Sequence, residues 1–107
     1  MKRYLSILSL LALLSAPAHA ETADYTLTLK DHQFSPPDLT LPVGQKVKII
    51  VKNLDTTPAE FESSELNREK VVEGHGEIIV FIGPLDPGLY HYFDDFHRDT
   101  TGTITAK

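Results

Sequence analysis

The stretch Gly88 to Gly102, GLYHYFDDFHRDTTG, decides how the rest of the chain is read. Leu89 to Phe93 is a strand. A polar loop follows with Asp94, Asp95 and His97, and Gly102 lets the chain enter a last strand, Thr101 to Thr105. An imidazole and two carboxylates at the end of a strand form a candidate metal corner. If Tyr90 and Tyr92 face the core, His91 between them faces out, because strand side chains alternate. Asp94 and Asp95, being adjacent, face apart.

Just upstream, Gly83-Pro84-Leu85-Asp86-Pro87-Gly88 is dense in residues that end regular structure and predicts a tight corner. Glu77 to Ile82 is a β-branched strand, and Gly74-His75-Gly76 is a turn. Ser63 to Lys70 has helical spacing for one or two turns, with Ser64 as its cap and Glu65 in its first turn. Glu65, Arg68, Glu69 and Lys70 mix both signs of charge, the usual mark of a solvated face. Phe61 anchors a short return segment. With Phe61 inward, Glu60 and Glu62 share the opposite face.

Further back, Lys46 to Asn53 places Val47, Ile49 and Val51 on one face and lysines on the other. Asp38 to Pro42 is extended, with Leu39 and Leu41 together. Pro36-Pro37 interrupts pairing, since proline donates no ladder hydrogen bond, and Phe34 plugs the core beneath that kink. Asp24 to Lys30 alternates as a half-buried strand. The count is about seven short strands, with turn signals every 8–12 residues and no βαβ rhythm. The expected fold class is all-β, an antiparallel Greek-key β-sandwich.

Lys2 and Arg3 precede an apolar run from Tyr4 to Leu14, and Ala18-His19-Ala20 has the small-x-small form of a signal-peptidase site. Residues 1–20 are therefore expected to be a secretory signal, too short for a stable span, and residues 21–107 one exported domain. The expected location is the bacterial periplasm, with a mature chain that does not span a membrane. No cysteine follows the apolar run, which excludes lipid attachment there. Losing Lys2 and Arg3 takes the formal charge from −5 to −7. Such acidity disfavours nucleic acid and favours cations or basic partners. The chain has no cysteine at all, so neither disulfides nor thiolate chemistry are open to it.

Two sets of residues carry a family resemblance. Phe34-x-Pro36, Leu39-x-Leu41-Pro42-x-Gly44 and Val47 to Asn53 resemble the opening half of cupredoxins. Pro84-x-x-Pro87-Gly88-x-Tyr90-x-Tyr92, with His97 and Gly102 beyond, resembles their closing half. The strings EFESSELNREK and IGPLDPGLYHYFDDFH are similar to cupredoxin-like domains of periplasmic iron-uptake systems, of the EfeO and FtrB type. The resemblance implies a cupredoxin-like sandwich and a place in ferrous iron uptake, beside other periplasmic proteins and an inner-membrane permease.

It also exposes departures. Blue-copper cupredoxins use two His, a Cys thiolate and a weak axial Met. By the family pattern the first His falls at Ala59, the Cys at Asp94 and the second His at His97; no Met follows Met1. A blue-copper centre is thereby excluded. The expected replacement is a harder site of Glu60, Asp94 and His97, with Asp95, Glu62, His32 and His91 as secondary candidates. Carboxylate with imidazole suits an iron ion, or Cu(II), better than Cu(I). The alternative is a metal-free interaction module that kept the fold and lost its ligands. Stand-alone catalysis is not expected, since the chain has no thiolate, haem motif or cluster ligands; a ferroxidase or electron-transfer role would need a partner.

Overall fold

A computed structural model describes residues 24–107; the expected signal segment lies outside the described residues. Nine strands follow in order: β1 (Asp24–Lys30), β2 (Gln33–Ser35), β3 (Asp38–Leu41), β4 (Val47–Asn53), β5 (Ala59–Ser63), β6 (Arg68–Val72), β7 (Glu77–Ile82), β8 (Gly88–Asp94) and β9 (His97–Ala106). They form a four-stranded sheet, β2-β1-β4-β7, and a five-stranded sheet, β3-β9-β8-β5-β6. The all-β sandwich expected from the alternation is present. No helix among the described residues is long and apolar enough to cross a membrane.

Period-two alternation sets the inner faces. Val47, Ile49 and Val51 are buried in β4, as are Leu27 and Leu29 in β1. β1 runs parallel to β4, and β3 parallel to β9, so the chain crosses between sheets rather than meandering within one. Tyr92 ties the sheets together. Its ring lies edge-on to Phe34 (centroids 5.0 Å) and stacks on Phe61 (5.1 Å). Aromatic pairs in such arrangements add about 0.5–1.5 kcal/mol beyond burial. Gly102 sits opposite Tyr92 across β8 and β9. A Cβ there would collide with the Tyr92 ring, so glycine is what lets the ring lie flat over the strand.

Two strands exceed the seven read from sequence, and both have physical reasons. β2 is a three-residue return that sets Phe34 opposite Leu29. β6 replaces the helical turns expected over Ser63 to Lys70. Ser63 ends β5, and its Oγ accepts the Leu66 N–H (3.2 Å) while donating to the His91 carbonyl (2.6 Å). Ser63, not Ser64, thus organises a turn, and the chain returns antiparallel from Arg68. Lys70 pairs with buried Phe61 across the ladder, an inward position on an edge strand. Lys70 Nζ donates to the Ile79 carbonyl (3.0 Å) and Arg68 Nε to the Phe81 carbonyl (2.8 Å). Lys70 is exposed, as expected of a solvated face, and Arg68 is half-buried; both also bind the edge of β7, a known way to blunt a free strand edge.

Candidate metal centre

The expected trio Glu60, Asp94 and His97 divides between the two faces of one sheet. In β5, Ala59, Phe61 and Ser63 are buried, which turns Glu60 and Glu62 outward. Asp94 ends β8 pointing inward and is fully buried. Its Oδ1 accepts the N–H groups of Glu60 (2.9 Å) and Phe96 (3.0 Å), and its Oδ2 lies 3.0 Å from His97 Nδ1. Glu60 therefore meets Asp94 through its backbone, not its carboxylate. A buried carboxylate needs such partners, because an unpaired one is costly. The irregularity between Phe93 and Asp94 lets the chain turn through Asp95 and Phe96 straight into β9.

A soft copper ion does not fit this pocket. The position the resemblance gives to a thiolate holds a carboxylate whose two oxygens are already taken by three donors. The position of the first imidazole holds Ala59, an apolar side chain only 3% exposed. His97 turns Nδ1 towards buried Asp94 Oδ2 at 3.0 Å, so that nitrogen is already engaged.

On the outer face the chemistry is different. Oxygens of Glu60, Glu62 and Asp95 lie within 4.8 Å of one another. All three residues are half-buried. Loss of solvent, then repulsion from Glu69, Asp95 and Glu62, pushes the Glu60 carboxyl up to about 6. The Glu62 carboxyl is raised by the same loss of solvent and by Asp95 and Glu69, with Arg98 opposing. Glu62 Oε2 and Asp95 Oδ1 are buried atoms without a hydrogen-bond partner. Arg98 Nη2 lies 2.8 Å from Asp95 Oδ1, an ion contact off the hydrogen-bond line. One exposed guanidinium thus faces three crowded carboxylates whose oxygens suit a hard cation.

The remaining candidates fall in two places. His32 lies beside His97, ring centroids 4.1 Å apart and planes tilted by 34°. His32 has φ 57° and Asp31 φ 50°, an uncommon backbone for such residues. Asp55 holds that turn by accepting the N–H groups of Asp31 (2.7 Å) and His32 (3.0 Å). Burial works to raise the Asp55 carboxyl, but these two donors and the nearby imidazoles outweigh it and hold it below its ordinary range. His91 faces out as expected; its Nδ1 pairs with Glu65 at 2.8 Å, and it takes no part in the carboxylate cluster.

Asp55 and Thr100 were not among the expected site residues. Thr100 donates to the His32 carbonyl (2.7 Å) and so ties β9 to the β1–β2 turn. The signal for Asp55 lay in the pattern Asn53-Leu54-Asp55. The Asn53 side chain accepts the Asp55 N–H (3.0 Å) and donates to the Thr57 carbonyl (2.8 Å), a local turn habit of asparagine.

Comparison with known proteins agrees with this frame. An uncharacterized protein of Rickettsia prowazekii (strain Madrid E) is 46% identical over 74 residues, 69% of this chain and 59% of that protein; the chain spans less than two thirds of that relative's length. A purple cupredoxin from Nitrosopumilus maritimus matches at TM-score 0.62 and 20% identity, over 78% of this chain and 100% of that one. The metal-binding domain of the Streptococcus pneumoniae D39 Cu(I)-exporting P-type ATPase CopA, solved with Cu(I), matches at 0.69 and 13%, over 78% and 84%. Amicyanin from Paracoccus versutus matches at 0.62 and 15%, over 78% and 81%. At these identities the solved structures speak for the fold alone. The model of the cupredoxin-like domain family, however, matches residues 3–106, nearly the whole sequence. The two-sheet frame, its Tyr92–Gly102 crossing and that match lead to one conclusion: the chain belongs to the cupredoxin-like domain family.

Proposed function

We propose that this chain is a periplasmic, cation-handling accessory of ferrous iron uptake, which has given up blue-copper chemistry and serves an inner-membrane permease. The observation that carries the reading is the outward trio Glu60, Glu62 and Asp95, with ligand oxygens within 4.8 Å of one another, beside a buried Glu62 Oε2 that has no hydrogen-bond partner. Three carboxylates so close repel one another unless a proton or a cation sits among them. An oxygen-only site favours hard ions, and coordination positions left to water allow an ion to be loaded and handed on. The acidic surface favours cation approach. The leader-like start of the sequence supports export, and the resemblance of EFESSELNREK and IGPLDPGLYHYFDDFH supports the link to iron.

The test is calorimetry of the mature chain with ferrous, ferric and zinc ions. At least one hard ion is expected to bind more tightly than about 100 μM, roughly 5.5 kcal/mol. The Glu60→Gln, Glu62→Gln double variant is expected to abolish that binding. Failure of every ion would favour the second reading, a metal-free interaction module. One observation supports that reading: Asp94 and His97 satisfy each other without an ion. Under it, partner affinity would survive removal of Glu60, Glu62 and Asp95 side chains.

A further inference from the structure

We propose a second metal site, independent of the carboxylate trio, in which the Nε2 atoms of His32 and His97 jointly hold one Cu(II) ion.

Each imidazole has a carboxylate near its Nδ1, and His97 is hydrogen-bonded through it. His97 Nδ1 lies 3.0 Å from buried Asp94 Oδ2, and His32 Nδ1 lies 3.8 Å from Asp55 Oδ2. The first is a hydrogen bond and the second a looser ion contact. The Asp94 carboxylate behind His97 Nδ1 fixes the tautomer with Nε2 as the lone-pair nitrogen, and it raises the basicity of that nitrogen. This is the ordinary support of a metal-binding histidine. Here one histidine so supported, His97, stands beside a second, His32, with side chains 37% and 49% exposed. His32, with no hydrogen bond to its ring among the described residues, can present Nε2 by a small rotation. The polar contacts that the two rings make among the described residues are through Nδ1, not Nε2.

The spacing suits a shared ion. Two imidazoles bound at about 2.0–2.1 Å per nitrogen have ring centres of the order of 4.5–5 Å apart. The observed centroid distance is 4.1 Å, so the more exposed His32 ring has only to open slightly.

The frame behind the rings is rigid. Asp94 is pinned by two backbone N–H groups. Asp55 is pinned by two more, and Thr100 anchors the His32 carbonyl. The rings arrive from the β1–β2 turn and the start of β9, so the pair exists only in the folded chain. No third carboxylate or imidazole among the described residues shares a 4.8 Å sphere with both rings. The remaining positions therefore go to water or to a donor from a partner. Two neutral nitrogens with open positions favour Cu(II) most strongly among the first-row divalent ions. The site differs in donor atoms from a blue-copper centre, which the closed Asp94–His97 contact forbids, and it can exist whether or not the carboxylate trio binds an ion.

The experiment is Cu(II) titration of the mature chain, followed by calorimetry and by electron paramagnetic resonance. The expected result is one Cu(II) per chain with hyperfine structure from two nitrogens. His32→Asn is the decisive variant, since asparagine tolerates the left-handed backbone that His32 adopts. It is expected to remove one nitrogen from the spectrum. It should also weaken binding beyond the about 10–100-fold that losing a supporting hydrogen-bond partner costs. His91→Ala and Glu60→Gln, Glu62→Gln are expected to leave the Cu(II) signal unchanged. Absence of Cu(II) binding, or an unaltered two-nitrogen spectrum in folded His32→Asn protein, would overturn the proposal. So would loss of the signal in His91→Ala. An intact circular-dichroism spectrum in the tyrosine region checks that each variant is folded.

Discussion

Asp94 and Asp95 are neighbours in sequence and opposites in circumstance. Asp94 points inward, is fully buried, and has three donors for two oxygens. Asp95 points outward into a cluster of like charge, where its nearest cation is exposed Arg98. The pleat of one strand end thus separates a carboxylate that holds the fold together from carboxylates held in mutual repulsion. The difference teaches that carboxylates replacing sulfur at this end of the sandwich do not make an equivalent centre. The inward one becomes a structural clasp, and ion-binding capacity moves to the outer surface.

The largest expected effect comes from breaking the clasp. Asp94→Ala would strand the N–H groups of Glu60 and Phe96 and leave His97 Nδ1 without its acceptor. Leaving a buried donor unsatisfied costs about 1–3 kcal/mol, so with two N–H groups stranded a loss of roughly 2–5 kcal/mol is expected in urea unfolding. Glu60→Ala should cost far less, because Asp94 is held by the Glu60 backbone. Equal losses in the two variants would erase the distinction between the faces.

The second effect is a pH dependence of opposite sign at the outer cluster and at Asp55, the carboxylate that holds the β1–β2 turn. Glu60 titrates at about 6 in the folded chain against 4.5 ordinarily, so between these values the folded state holds more protons than the unfolded one. Stability should therefore fall as pH rises through that window. Asp55, held below its ordinary 3.8, works the other way: its contribution is present above that value and lost as pH falls further. Melting temperature against pH should peak below neutrality. Glu60→Gln should flatten the limb above pH 4.5 and leave the acid limb in place. A wild-type curve with no decline between pH 4.5 and 6.5 would show that the outer carboxylates do not repel as their spacing implies.

Much of this was legible from residues alone, and the failures are informative. Alternation about Phe61 placed Glu60 and Glu62 on one outward face, and the same rule set Asp94 and Asp95 apart. It also put Tyr92 in and His91 out. What alternation could not supply was which of the two aspartates turned inward, since that depends on the irregular ladder at Phe93 and Asp94. Grouping Glu60 with Asp94 and His97 failed for the same reason: nearness along a sheet end says nothing about which face a side chain takes. β6 escaped because its inward positions carry Arg68 and Lys70, whose partners are carbonyls of β7 rather than apolar side chains. The His32–His97 contact joins residues in distant loops and depends on the Asp55 and Thr100 anchors, which no local pattern announces.

The smallest effect concerns Arg98, the cation that meets the outer cluster among the described residues. Its side chain is 77% exposed, and exposed ion pairs contribute about 0–1 kcal/mol. Arg98→Ala should therefore change stability at neutral pH by less than about 1 kcal/mol. Its electrostatic effect should be easier to see than its stability effect. Arg98 opposes the upward shift of Glu62, so its removal should move Glu62 titration, followed by NMR, to still higher pH. The shift should be larger at low salt, because exposed charges are screened within about 10 Å at 0.1 M ionic strength. Asp94, shielded from solvent on the other face, gives no reason to expect a matching salt dependence in the His97 ring signals. Salt-sensitive titration on the outer face beside salt-insensitive contacts on the inner one would separate the two carboxylate environments without disturbing either. If both responded alike, the sheet would not be insulating them, and the closed clasp and the open cluster would have to be treated as one coupled network.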